Sequence, residues 1–325
     1  MKIFKTTPQW DILGKKKIAI VISTVLLLAA VVGWSVKGLT YGIDFSGGTL
    51  IQIKFQENPD IAIVRELFKK KLSTSISITT FGEKADNELI VTLPEESVRE
   101  QYDKLGDLVH VILSKSFSNF EIRRVETVGP KVGDELKSKA LQSAVYVLIG
   151  IMIYIGFRFK VRYGIAAVVA LFHDVLIAMG IFVFLEKEFT LTIVAAVLTI
   201  IGYSLNDTIV VFDRIRENVA RFPKRNLEEV VNLSVNESLS RTILTSVTTF
   251  LVVFALYMLG GDIIKDFSFA MLIGLVVGTY SSVFVASPVV MYFDPDNFQK
   301  TPLYRVLIQS RDKTSELFSK EKRVK

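Results

Sequence analysis

The sequence has no cysteine and only two histidines, His110 and His173, in 325 residues. Without cysteine, the chain cannot form disulfides, thiolate metal sites or cysteine nucleophiles. Two histidines are too few for a histidine-based metal centre. A Gly-rich string runs from Gly42 to Gly48, but no P-loop Lys-Ser/Thr follows it, so a nucleotide site is not indicated. We therefore expect no metal, no cofactor and no enzymatic activity.

Apolar residues are abundant instead: they make up 50% of the chain, and the mean hydropathy is +0.42. This is more apolar surface than one soluble core of this size needs, which predicts that part of the chain lies in lipid. The net charge of +6 would suggest nucleic acid if the basic residues formed one stripe. They stand mainly at the ends of apolar runs, so we expect contact with membrane lipid and not with nucleic acid.

The first apolar run, Ile18 to Val36, follows three consecutive lysines at positions 15 to 17. A helix needs about 20 apolar residues to cross a bilayer. A cleaved signal peptide is the competing interpretation, but the run is long for one and no Ala-x-Ala-like site follows it. We predict an uncleaved membrane-spanning helix.

Five further apolar runs cluster in the second half, which makes about six predicted spans. They are Ala140 to Phe157, Tyr163 to Leu185, Leu191 to Phe212, Thr242 to Leu259 and Phe267 to Tyr292. Gly274 and Gly278 in the last run form a small-xxx-small pair, a spacing typical of closely packed helices in lipid.

The basic residues also predict the orientation, because Lys and Arg favour short cytoplasmic loops. Counted by alternate loops, 22 of them lie on one side and 2 on the other. The N-terminus (residues 1–17), the loop 213–241 and the basic tail 293–325 are therefore predicted to be cytoplasmic, in the inner membrane of the cell. Within that loop, Asn226 to Ser238 is predicted to be an amphipathic surface helix.

The segment 37–139 is then expected to form an external domain. Thr49 to Phe55 alternates apolar and polar residues, which is typical of a half-buried strand. Three further strands are predicted at Ser75 to Phe81, Glu88 to Leu93 and Phe120 to Val128, with helices at Asp60 to Leu72 and Ser97 to Phe117. This order predicts a ferredoxin-like βαββαβ domain. The fold class is thus a polytopic α-helical membrane protein with one external α+β domain.

Ionisable side chains inside predicted spans are candidate functional residues, because they are costly in lipid. Asp207, with Asn206 and Thr208 beside it, lies in the fourth span, and Arg241 opens the fifth. Both are expected at similar depth on consecutive antiparallel helices, so they could pair. Burial raises the pKa of a carboxyl in general and a nearby guanidinium lowers it, which suits reversible proton binding. The alternative is a static ion pair that fixes helix register.

Asp174 lies near the middle of the third span, next to His173. It is predicted to be either a second relay group or a structural partner for a Ser, Thr or Asn on the next helix, and the structural role is favoured. Adjacent helix residues point in different directions, so we expect one of the two to face the bundle and the other its edge.

Four strings in this order resemble the SecD/SecF family of protein-export membrane proteins, and its SecF members in particular. They are GIDFSGG (42–48), GPKVGDEL (129–136), HDV (173–175) and GYSLNDTIVVFDRIREN (202–218). The first contains the motif residues Gly42, Asp44, Phe45, Gly47 and Gly48, for which the residues themselves indicate a tight turn. The resemblance extends to about Phe293.

The resemblance implies an RND-like helix bundle, a separate SecD partner, association with the SecYEG channel and contact with the translocating preprotein. It further implies use of the proton-motive force in late steps of translocation, with Asp207 and Arg241 matching an essential Asp and Arg. Two alternatives stay open: a passive scaffold of the translocon, and an RND-type exporter of small molecules or lipids. The exporter would need a large porter domain and about twelve spans.

Overall fold

A computed structural model describes residues 7–72, 76–81, 87–94 and 105–293. Within these ranges, six helices are long and apolar enough to cross a membrane. They contain α1 (Lys16–Lys37), α5 (Pro130–Arg158), α6 (Val161–Phe184), α7 (Leu191–Arg221), α8 (Leu227–Leu259) and α9 (Gly261–Ser281). A π-helical turn (Ser282–Ala286) and α10 (Ser287–Tyr292) extend α9. The predicted fold class is confirmed.

A four-stranded antiparallel sheet lies between α1 and α5 in the chain. Its strands are β1 (Gly48–Phe55), β2 (Ser77–Phe81), β3 (Glu88–Leu93) and β4 (Phe120–Val128), in the spatial order β2-β3-β1-β4. Two helices, α3 (Ile61–Leu72) and α4 (Leu105–Leu113), complete the ferredoxin-like order. Alternate residues of β1 are buried because a strand presents successive side chains to opposite faces, and Ile51 and Ile53 pack there against Val64 and Phe68 of α3. The predicted start of the second helix, before Leu105, and the basic tail after Phe293 lie outside the described residues.

Two helical regions differ from the sequence predictions. The span predicted at 140–157 is part of a longer helix, because α5 begins at Pro130, where proline is well suited to the first turn of a helix. The predicted surface helix 226–238 is not separate: it is the first part of α8, and Val230, Val231 and Val235 on it are buried. That part of the loop is therefore core-forming, because its apolar face packs against α7.

Small residues allow α9 and α7 to approach each other closely. A Cβ atom placed on Gly274 would come within 2.3 Å of Ile200, and one on Gly278 within 3.0 Å of Ser204. A larger side chain at Gly274 would require Ile200 to move, and one at Gly278 would be in tight contact with Ser204, so the two glycines favour the close spacing between α9 and α7.

The GIDFSGG string joins the sheet domain to the helix bundle. A short helix, α2 (Ile43–Ser46), places the Asp44 carboxylate at the first turn of α7, where Oδ2 accepts a hydrogen bond from the Leu191 backbone N–H at 2.8 Å. The aromatic rings of Phe45 and Phe189 stack with centroids 5.5 Å apart, and the Gly42 N–H donates to the Phe189 carbonyl at 3.0 Å. We call this group of contacts the latch.

The two glycines that end the string allow backbone conformations that other residues rarely adopt. Gly47 and Gly48 have φ values of +71° and +122°, in the region that L-residues with a Cβ rarely adopt. A Cβ on Gly48 would also lie 2.5 Å from the Leu93 carbonyl oxygen of the neighbouring strand. The predicted tight turn is thus present, and it lets the chain pass directly from the latch into β1.

An acidic residue beside the latch has a perturbed pKa. Partial burial, and then the nearby carboxylates of Asp266 and Asp44, raise the pKa of Glu188 above its usual value. Protonation of Glu188 would remove its repulsion with the Asp44 carboxylate. The latch is therefore expected to be more stable at acidic pH.

We predict that Asp44→Ala weakens the latch without unfolding the sheet domain. Loss of a helix-capping carboxylate typically costs about 0.5–2 kcal/mol. The purified protein should show a lower thermal midpoint and faster proteolysis near residues 37–47. Asp60→Ala is the matched control, because Asp60 Oδ1 accepts the Ala62 N–H at 2.8 Å and caps α3 inside the sheet domain. Equal proteolysis of the two variants at residues 37–47 would contradict the latch assignment.

Candidate functional site

Asp207 is buried inside the helix bundle, on the face of α7 that packs against α8 and α9. Its side chain belongs to a residue only 3% exposed, although it lies in the middle of a span. The Ser246 hydroxyl on α8 donates to Asp207 Oδ2 at 3.4 Å, a long hydrogen bond. A carboxyl placed in this way has few donors to stabilise its charge, so the arrangement suits a group that binds and releases a proton.

Arg241 does not form an ion pair with Asp207. It lies five residues before Ser246 on α8 and its side chain is exposed. Among the described residues, no ion pair within 4.0 Å includes Asp207 or Arg241, although Arg241 is within electrostatic reach of the carboxyl. The two side chains thus lie in the same region of the bundle but more than 4.0 Å apart, which argues against a static ion pair in this conformation.

The two neighbours of Asp207 point in different directions. Thr208 is buried at 1% exposure, whereas Asn206 is exposed on the outer face of α7. Asp213, at the far end of the same helix, accepts hydrogen bonds from Arg158 and is paired with Arg216 at 2.9 Å. The Asp213 group is therefore a boundary cluster and not part of the buried site.

A largely apolar cavity of about 760 Å³ reaches the hydroxyl groups next to Asp207. It is lined by the segment from Gln9 to Ile12 and by Thr242 and Thr279 of the bundle. Thr279 Oγ1 lies 2.8 Å from Ser246 Oγ, which in turn contacts Asp207. The buried Thr242 hydroxyl has no hydrogen-bond partner among the described residues, so it can bind a water in this cavity. The hydroxyls of Ser246 and Thr279 therefore connect Asp207 to the cavity against which the N-terminal segment packs.

Asp174 has hydroxyl partners on two other helices. It is completely buried, and Oδ2 accepts hydrogen bonds from Ser204 of α7 at 2.5 Å and Ser281 of α9 at 2.7 Å. This is the hydroxyl partnership that the sequence predicted. The expectation that His173 and Asp174 would face apart is wrong: both are buried, and His173 Nδ1 lies 2.9 Å from Asp174 Oδ1.

The remaining motif residues lie away from Asp207. Gly42, Asp44, Phe45, Gly47 and Gly48 form the latch and the turn into β1. Sequence reasoning missed Ser246 and Thr279, which link Asp207 to the cavity. No local pattern marks them among many hydroxyl residues in apolar runs, since it is the packing of three helices that brings them together.

No group of three or more His, Asp or Glu side chains that could hold a metal ion occurs in the part of the chain that the structure describes. The two buried carboxyls are instead contacted by hydroxyl groups and, at Asp174, by the His173 imidazole.

Comparison with known families gives two matches. The family model for the SecD/SecF protein export membrane protein, C-terminal, matches residues 109–296, and that for the SecD/SecF GG motif matches residues 32–59. The second range contains the latch, and the first contains the whole bundle after α1.

Similar proteins cover nearly the full chain. The protein translocase subunit SecF of Magnetococcus marinus is 43% identical over 303 residues, which is 92% of this chain and 97% of that protein. The Helicobacter pylori (strain 26695) SecF is 38% identical over 322 residues, 98% of each.

Solved structures of SecDF are similar in fold. The crystal structure of SecDF, a translocon-associated membrane protein from Thermus thermophilus, matches with a TM-score of 0.81 and 34% identity over 90% of this chain. SecDF in its super-membrane-facing form matches with a TM-score of 0.65 and 33% identity over 98% of this chain. This chain spans 39% and 41% of the length of those two chains. By family model, identity and fold together, the chain belongs to the SecD/SecF family of protein-export membrane proteins, among its SecF members.

Proposed function

We propose that this chain is a SecF-type subunit that works with SecD to promote late steps of protein translocation, driven by the proton-motive force. Asp207 is the proton-binding group, and Arg241 modulates it. The observation that carries the proposal is a carboxyl that is 3% exposed within a membrane helix, without an ion pair among the described residues and connected by hydroxyls to a cavity. The chain itself is not an enzyme in this proposal.

The energy available is sufficient for such a role. Moving one unit charge across 100 mV is worth about 2.3 kcal/mol, so a few successive protons can drive a domain movement. Protonation removes the charge on Asp207, and deprotonation restores its attraction for Arg241. The separation of the two side chains in this structure fits one stage of such a cycle.

The movement has a direct route to the sheet domain. Asp207 lies 16 residues after Leu191, the first residue of α7, so the carboxyl is about 24 Å along one uninterrupted helix from the latch. A shift or rotation of α7 would therefore act on the latch and on the domain that follows it. One of the two similar SecDF structures is described as a super-membrane-facing form, which supports a family whose members adopt more than one conformation.

The proposed orientation follows the distribution of basic residues. With both termini in the cytoplasm, the sheet domain lies outside, where it can contact the emerging preprotein. Association with the SecYEG channel is proposed because the similar SecDF structure is described as translocon-associated.

We further propose that SecD docks on the outer face of α7. The exposed residues Leu191, Ala195, Thr199, Gly202 and Asn206 recur every three or four positions and form one stripe along the helix. Small side chains permit close approach of another helix, and an exposed Asn amide in a span needs a polar partner that lipid cannot supply. A helix of SecD could pack closely on the stripe and supply a hydrogen-bond partner for the Asn206 amide.

The central test replaces Asp207 with Asn in the full chain, assembled with SecD and the channel in membrane vesicles. Export of a secreted precursor should no longer accelerate when a proton gradient is imposed, because Asn cannot carry the proton. Asp213→Asn is the matched control, since it makes the same change on the same helix within the boundary cluster. It should retain the acceleration.

The alternative function, a passive scaffold, gives a different result in this assay. If Asp207→Asn assembles with its partner and the gradient still accelerates export as in the unmodified protein, proton coupling at Asp207 is refuted. Loss of the assembled complex in Asp207→Asn, with Asp213→Asn intact, would favour a structural carboxyl.

The docking surface can be tested because the sequence contains no cysteine. A photoreactive maleimide on Thr199→Cys should crosslink to SecD in the assembled membrane. Val25→Cys is the control, since Val25 is 58% exposed on α1, away from the stripe. Crosslinks to SecD from position 25 but not from position 199 would overturn the assignment.

A further inference from the structure

A second buried hydrogen-bond network lies on the other side of the bundle from Ser246. It is centred on Asp174, and it continues from His173 Nε2 to Ser23 Oγ of α1 at 3.1 Å and from there to the Tyr280 hydroxyl of α9 at 3.0 Å. Tyr280 donates to the Ala19 carbonyl of α1 at 2.8 Å. The network therefore connects the helix that leads into the sheet domain with α6, α7 and α9.

The number of protons in this network can be counted from its donors. The Tyr280 hydroxyl has one hydrogen, and the Ala19 carbonyl can only accept, so Ser23 must donate its own hydrogen to Tyr280. Ser23 then accepts from His173 Nε2, which must carry a hydrogen. The contact between His173 Nδ1 and Asp174 Oδ1 needs one more shared hydrogen. All contacts are satisfied together only when the His173–Asp174 pair holds one proton more than a carboxylate beside a neutral imidazole.

The cost of burying charge leads to the same conclusion, that the His173–Asp174 pair holds the additional proton. The hydroxyls of Ser204 and Ser281 reduce but do not remove the cost of a carboxylate at 0% exposure. Among the described residues, the only ion pair of Asp174 is with His173. With the additional proton the pair is neutral overall, and without it the pair has a net charge of −1.

The network has an opening. A groove of about 840 Å³ is lined by Ser23 and His173 in its wall and by Lys16, Glu228 and Tyr292 among its other residues. The charged and titratable groups that face the pair are thus Tyr280 of α9, whose ring stacks on His173 at 6.1 Å, and these three groove residues from α1, α8 and α10. From α7, Asp207 follows Ser204 by three residues. Most of the groove is lined by apolar side chains, and Ser23 is a polar wall residue that contacts Nε2, so Ser23 is the step by which a proton from the groove would reach His173.

We propose that His173 and Asp174 form a second proton-binding centre, loaded from the groove, which controls the contact between α1 and α9. On release, the Nε2–H bond of His173 breaks and the proton leaves through the groove. The Ser23 hydroxyl then turns to donate to Nε2. Tyr280, with its single hydrogen, keeps only one of its two contacts with α1. Reloading reverses each step.

This centre is coupled to Asp207 through α9. Ser281 donates to Asp174, and Thr279, two residues earlier, contacts Ser246, the partner of Asp207. The π-helical turn Ser282–Ala286 begins directly after Ser281. A π-turn relaxes the regular backbone hydrogen bonding, so this part of α9 can adjust when either carboxyl changes its proton. The proposed link to translocation rests on the proposed function, whereas proton binding at the pair does not.

The test uses the full chain assembled with SecD in lipid nanodiscs. Proton release after a rapid pH rise is measured with an indicator dye, and gradient-driven export is measured against pH in vesicles. His173→Gln keeps a polar side chain but cannot titrate, so it should release one proton fewer per complex. The gradient-dependent part of export should fall by about 100-fold, the lower end of what loss of a proton-transfer group costs.

Two more variants test the proposal further. Tyr280→Phe removes the contacts with α1 and frees the Ser23 hydroxyl to donate to Nε2 in both states, so it should lower both the proton count and gradient-driven export. Ser268→Ala is the control, because Ser268 is buried on the same helix and its hydroxyl has no hydrogen-bond partner among the described residues. Neither the number of protons released nor gradient-driven export should change in this variant.

The proposal is overturned if His173→Gln releases as many protons as the unmodified complex, with the same export profile. It is also overturned if His173→Gln lowers only the thermal midpoint or the assembly with SecD, as a purely structural histidine would. Normal export by Tyr280→Phe would refute control of the α1–α9 contact. Asp207→Asn, measured in parallel, shows separately whether the proposed function itself fails.

Discussion

The cost of placing carboxyl groups inside a membrane-spanning bundle governs the rest of this structure. Asp174 and Asp207 are at most 3% exposed, and each lies in a helix that is long and apolar enough to cross a membrane. Neither forms an ion pair with Lys or Arg in the described part of the chain, and the groups in direct contact with the two carboxyls are hydroxyls and one imidazole. Such groups stabilise a carboxyl in either protonation state, whereas a fixed guanidinium would hold it ionised. This surrounding fits the proton exchange that we propose for the two carboxyls.

Helix packing links the buried carboxyls to the sheet domain. Glycines at the α7–α9 contact bring the hydroxyls of Ser204 and Ser281 onto Asp174. The same α7 extends without interruption to the latch, where Asp44 caps its first turn. A soluble domain attached through this latch is mechanically tied to the helix that carries Asp207. A movement of α7 in the bundle would therefore be passed to the sheet domain, as the proposed role in translocation requires.

The sequence predicted the fold class because its signals are strong and local: six apolar runs, and alternation such as that in β1. It also predicted that Asp207 and Asp174 lie in the spans. It could not predict the separation of Asp207 from Arg241, or the contact of His173 with Asp174, because both depend on side-chain directions set by neighbouring helices. The burial of Val230, Val231 and Val235 was missed for a similar reason, since an amphipathic helix packs equally well on lipid headgroups or on protein.

The central claim is that Asp207 exchanges a proton within the assembled complex. The most direct measurement is an infrared difference spectrum of the complex with SecD in lipid, recorded between acidic and alkaline pH, for the unmodified chain and for Asp207→Asn. We predict a band from a protonated carboxyl in the unmodified complex that is missing from Asp207→Asn and kept in Asp213→Asn. An identical carboxyl band in the unmodified and Asp207→Asn complexes would contradict the account.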